Sequence, residues 1–209
     1  MKVYKHTIIL TFIVSILSLV LASIFEFYGY NISHNDFIVN ILLGVFTGAI
    51  LTMIVSIPNY IIERRRFFIS FYQNSKEFIY NSITALEKFQ LKDNSHNEYF
   101  DKAKQIYYNI IYPLPDYCTW FIESDNDVFV REVMLDINAF VLDVNAVSDL
   151  YNKYKNSKAN QDHLMNSIAV LFDTMNKKYY DKFKEYNSKI IEMHEIIYSK
   201  IDLNKKVGK

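Results

Sequence analysis

The side chains best suited to chemistry in this chain are scattered rather than assembled. His163 and His194 fall in the last predicted helix, near Asp162, Glu192 and Glu195. A di-metal bundle needs Glu-x-x-His pairs on two helices, and zinc needs paired His or Cys ligands such as H-E-x-x-H; neither pattern occurs. Asp125-Asn126-Asp127 opens like a calcium loop, but the glycine and the downstream glutamate that close such a loop are missing. Asp136 and Asp143 stand seven apart with Asn138 and Asn145 in step, which two turns of helix place on one flank and which reads as a solvated face. The single cysteine, Cys118, and the serines have no base beside them in sequence, and one cysteine fits a reducing compartment. No catalytic, metal or cofactor site is expected, and the chain reads as a non-enzyme.

Glycine usage narrows the classes further. The four glycines are Gly29, Gly44, Gly48 and Gly208, so residues 49–207 contain none. Phosphate-cradling loops, dinucleotide fingerprints and nucleophile elbows all need glycine for close backbone approach or positive φ. Tight hairpin turns lean on it too, so the stretch predicts long helices. Apolar residues recur at three and four over about Asp127–Lys155 (Phe129, Val133, Ile137, Phe140, Val144, Val147, Tyr151, Tyr154) and over about Asn160–Leu203 (Leu164, Ile168, Phe172, Met175, Tyr179, Phe183, Tyr186, Ile190, Ile197, Ile201). The latter would be roughly 65 Å long. Ser124 or Asp125 is the expected N-cap of the first, and Ser95-x-x-Glu98 reads as a capping box opening a shorter helix. A further helix is expected from near residue 61 to about Leu91, carrying Phe71, Phe78, Ile83, Leu86 and Phe89 inward.

Ahead of these helices lie two stretches, Ile8–Phe25 and Phe37–Ile57, without Asp, Glu, Lys, Arg or His, each long enough to cross a bilayer. Lys2 and Lys5 precede the first, the connecting loop Gly29–Asp36 has no Lys or Arg, and Arg64, Arg65 and Arg66 follow the second. Basic residues stay on the cytoplasmic side, so both termini are expected inside. A cleaved signal peptide ending near Val20 and Ala22 is the rival reading, against which the apolar run is long. The fold class expected is therefore an all-α membrane protein. A two-helix transmembrane hairpin (residues 1–60, spans about 7–28 and 37–58) precedes a cytoplasmic antiparallel helical bundle (61–209) with long coiled-coil-like helices.

Gly44, Gly48, Thr52 and Ser56 recur every four residues on the second span, and Thr7, Thr11, Ser15, Ser18 and Ala22 form a similar ridge on the first. Small residues let helices approach closely, so the two ridges are expected to face each other, the alternative being a face toward another protomer. Arg64–Arg66 can set topology and hold anionic headgroups at about 1 kcal/mol per charge. Setting aside Lys2, Lys5, Glu26 and Asp36, the rest of the chain carries 21 basic and 21 acidic side chains, so nucleic acid is not an expected partner. Tyr117, Trp120 and Phe121 follow Pro113 and Pro115, and offer either an elbow that closes the core or a partner surface.

The expected function is that of a membrane-anchored interaction or scaffold protein at the inner (plasma) membrane. Its partners are the lipid bilayer and a protein, or further copies of itself. The alternative is a membrane-disrupting effector of a bacterial defence or toxin-like system with oligomerising spans. Richness in Ile, Asn, Lys, Tyr and Phe fits an AT-biased bacterial genome. In outline the topology resembles that of small bacterial proteins that hang a helical domain from a two-span hairpin, some of them phage-defence effectors; no motif accompanies the likeness and no residue role follows from it.

Overall fold

The computed structural model describes residues 1–28, 35–117, 123–156 and 161–207, and side chains at those positions except 116, 155, 156, 161 and 194–207. Among the described residues there are five α-helices and no strand: α1 (Lys2–Tyr28), α2 (Asn35–Gln90), α3 (His96–Ile111), α4 (Asp125–Asn156) and α5 (Gln161–Val207), with a 3-10 turn at Leu114–Asp116. The chain forms two compact units, one of Met1–Phe67 with Asp116–Trp120 and the other of Phe68–Pro115 with Phe121–Lys209.

The expected span of about 37–58 and the expected helix from near residue 61 are one continuous helix: α2 runs through Pro58 for 56 residues. An interior proline removes one backbone hydrogen bond and costs about 3 kcal/mol. No glycine or further proline follows until Pro113, so helix formation resumes at once.

In the second unit α2, α3, α4 and α5 make an up-down-up-down bundle. Opposed directions follow from paired contacts: Asp143 with Tyr179 and Asp136 with Tyr186 across α4 and α5, and Lys104 with Ser148 and Tyr107 with Asn138 across α3 and α4. Tyr72 meets Phe129 and Phe78 meets Phe140, so α2 and α4 run parallel on the diagonal. Most of the periodic apolar residues with described side chains are in the core, while Ile83, Phe89, Tyr151, Tyr154 and Leu164 are half-buried. Phe78, Val133, Ile137, Phe140, Phe172, Tyr179, Phe183 and Ile190 are all buried.

Helix ends show how the chain manages without glycine. Lys92 takes a left-handed φ of 55°, its N–H donates to Phe89 O at 2.9 Å and Asp93 N–H donates to Lys88 O at 2.9 Å. This is a Schellman closure with lysine where glycine is usual. The capping box predicted at Ser95-x-x-Glu98 does not form: the Ser95 hydroxyl makes no cap hydrogen bond, and Glu98 pairs with Lys102 instead. Asp93 does the work, its carboxylate accepting from Ser95 N–H at 2.9 Å and its carbonyl from His96 N–H at 3.2 Å. The Lys88 ammonium, 2.8 Å away, and the Ser95 N–H hold the Asp93 carboxyl down at about 2. At α4, Ser124 is the cap, and the Asp127 carboxylate reaches back to accept from Ser124 N–H (2.8 Å) and Oγ–H (2.6 Å).

Candidate functional site

In the first unit the apolar residues surround α1 and the early part of α2 instead of forming one inward stripe. Leu10, Phe12, Ile13, Leu17 and Val20 are exposed on α1, as are Ile41, Leu51, Ile54 and Val55 on α2. Only 22% of the apolar window of α1 and 11% of that of α2 is buried. A core helix of a water-soluble domain hides most of such a window; monomeric soluble proteins rarely expose more than a few hundred Å² of contiguous apolar surface. Both helices are long and apolar enough to cross a membrane.

The covered side of α1 is its small-residue ridge: Ser15, Ser18 and Ala22 are buried together with Ile8. The hydroxyls are satisfied within the helix, Ser15 donating to Phe12 O at 2.9 Å and Ser18 to Val14 O at 2.6 Å. On α2 the covered residues are Ala49, Ser56 and Tyr60. Gly44 and Gly48 are elsewhere: a Cβ built on either meets nothing within 4 Å. Thr52 is exposed beside them, its hydroxyl donating to Gly48 O at 2.8 Å. Of the four small residues singled out on α2, only Ser56 is buried. Two hydrogen bonds lie at opposite ends of these helices: Asn35 Nδ2 donates to Phe25 O at 3.0 Å, and the Met1 ammonium to Glu63 Oε2 at 2.6 Å.

Arg65 and Arg66 are exposed and Arg64 is half-buried. Tyr117 stacks on Phe67 with ring centroids 4.5 Å apart. Trp120 and Phe121, named with Tyr117 as a partner surface, lie outside the described residues, as does the side chain of His194. His163 is exposed, and among the described residues no three His, Cys, Asp or Glu side chains gather to hold a metal ion.

In the second unit Asp136 and Asp143 of α4 are half-buried and engaged by α5 rather than left as a solvated face. Asp143 accepts from Tyr179 OH at 2.6 Å and Asp136 accepts a short bond from Tyr186 OH. Lys178 and Lys182 pair with the same two carboxylates. The seven-residue step on α4 thus matches a seven-residue step on α5 and locks their register. Asn138 accepts from Tyr107 OH at 2.8 Å, and Asn126 from Tyr72 OH at 3.2 Å, so the calcium-like tripeptide is spent on capping and packing. Sequence reasoning missed these clips because each needs a tyrosine that is remote along the chain; the matched sevens were the signal available.

Burial first, and then the nearby aspartates (Asp127 for Tyr72, Asp143 for Tyr179, Asp136 for Tyr186), push the phenols of Tyr72, Tyr179 and Tyr186 well above their usual value. A pKa raised on folding contributes stability that is present below the unfolded value near 10 and lost as pH rises beyond it. Tyrosinate absorbance at 295 nm should show these three of the 17 tyrosines ionising last, together with the loss of helical ellipticity. Ionisation of all 17 with helicity intact would contradict the clips.

Set beside known proteins, the chain matches no family model, no curated protein and no solved structure.

Proposed function

We propose that the protein is a non-enzymatic, membrane-anchored interaction protein. In this reading α1 and the early part of α2 span the inner membrane as a hairpin, both termini are cytoplasmic, and the α2–α5 bundle docks a protein partner or another copy. The observation that carries it is the exposure of apolar side chains around both helices, a surface that water disfavours and a lipid environment accommodates. The hydrogen bond from Asn35 to Phe25 O supports a tight turn at the outer end. Lys2, Lys5 and Arg64–Arg66 support the inward termini.

Self-association has its own support in the outward ridge of Gly44, Gly48 and Thr52, a surface suited to a second span. The same ridge favours the second reading, an effector whose assembled spans breach the bilayer. Nothing lies within 4 Å of a Cβ built at Gly48, so Gly48→Ile starts its side chain in open space on the exposed face of α2. It should lower chemically crosslinked oligomers in native membranes on the order of tenfold, about 1.4 kcal/mol, while carbonate-resistant membrane association is unchanged. Undiminished crosslinking would remove self-association through the ridge. Membrane potential in the expressing cells separates the two readings: unchanged potential accords with an anchor, and depolarisation abolished by Gly48→Ile with the effector.

A further inference from the structure

Where α2 passes into α3, the bundle forms an open-sided cavity of about 530 Å³ between the ends of α2, α3 and α4 and the first turns of α5. That size falls within the range of small-molecule sites. Phe89 and Phe172, stacked with an interplanar angle of 6°, and Tyr151 supply aromatic wall, and Leu86 and Ala169 supply aliphatic wall. Two polar groups on the lining lack a protein partner. His96 is 4% exposed; its Nδ1–H donates to Asp93 O at 2.8 Å, while its Nε2 is buried with no hydrogen bond. With Nδ1 turned back onto its own turn, Nε2 is the ring atom left to address the cavity. In the neutral ring that atom is a lone-pair acceptor. Asn176 Oδ1 is likewise a buried acceptor without a partner.

Phe89 and Phe172 stand nearly perpendicular to the His96 imidazole, at interplanar angles of 87° and 90°, and so hold its plane. The charged lining residues, Lys92 and Asp173, are exposed and opposite in sign, and Asp173 is already paired with Lys177 at 2.6 Å. No net field selects an ion. We infer that this cavity binds a neutral, planar aromatic molecule that donates a hydrogen bond from a ring N–H or O–H to His96 Nε2, with Asn176 as a second acceptor. The apolar walls take its ring, and the two acceptors set its orientation. The inference is independent of the membrane reading, since every lining residue belongs to the bundle.

Indole and indene make the test, two probes of one shape that differ in the N–H donor. The full chain, labelled with 15N-histidine and held in lipid nanodiscs, is titrated with each while the His96 imidazole 15N resonances are followed. Indole should produce a saturable shift of Nε2, and indene should bind at least about tenfold more weakly. Ala169→Trp, which fills the cavity from its exposed side, should abolish the indole shift without altering helicity. His96→Phe should weaken indole binding, read by ligand-observed NMR, to the level of indene. No saturable Nε2 shift, equal binding of indene, or binding that survives Ala169→Trp would each overturn the inference.

Discussion

Leu17→Arg and Leu51→Arg together should expel the protein from membranes. Each leucine is exposed (56% and 59%) near the middle of an apolar stretch, so neither arginine disturbs packing within the chain. In water, exposed substitutions of this kind change stability by no more than about 0.5 kcal/mol and improve solubility. At the centre of a spanning helix each arginine instead costs about 2.5–3.5 kcal/mol of insertion free energy, or roughly 5–7 for the pair. Flotation with liposomes after carbonate extraction decides between these environments. The double variant should leave the floating fraction, and each single variant should do so in part. A double variant that floats as well as the parent would mean that the exposed apolar surface is covered by protein rather than lipid, and the anchoring proposal would fall with it.

The second large effect lies in the bundle. Phe140 is fully buried, and its ring meets Phe78 of α2 (5.8 Å between centroids), Phe100 of α3 (6.1 Å), and Tyr179 and Phe183 of α5 (5.2 and 5.3 Å). One side chain thus joins all four helices. Phe140→Ala removes its transfer free energy and leaves a cavity that four rigid helices cannot collapse, a loss of about 3–5 kcal/mol. Domain stabilities of about 5–15 kcal/mol make that a large fraction of the whole. Native-state hydrogen exchange of the α4 amides should register it as protection reduced by about 10²–10³-fold or more. Tyr108→Ala, at an exposed position on α3, should leave the same amides within a factor of about two to three. Equal, small effects from both would show that the α4 core is not organised around Phe140.

The helical content was legible because its causes are short-range. A glycine-free run of this length cannot make tight hairpins, and apolar residues at three and four label one face of a helix without any knowledge of its neighbour. The predicted bounds of about Asp127–Lys155 lie within two residues of α4. The expected span and the helix after it join through Pro58 because an interior proline is a cost and not a stop, and the residues after it are strong enough to resume the helix. Ser95-x-x-Glu98 misled because a cap is decided by which acceptor reaches the free N–H, and Asp93 reaches Ser95 N–H first from within the preceding turn.

By itself the sequence determined that the chain is helical and that two of its helices carry enough uninterrupted apolar length to cross a bilayer. These are properties of composition and period, readable in any window. Only the tertiary structure decided which faces are used. It buries the small ridge of α1 while Gly44 and Gly48 look outward, pairs Asp136 and Asp143 with Tyr186 and Tyr179, and gathers Phe89, His96, Tyr151, Phe172 and Asn176 around one cavity. The tyrosine–aspartate pairs and the cavity join residues tens of positions apart. A periodic pattern identifies a face, but its partner depends on helix direction and register, which are set by the packing of the whole bundle.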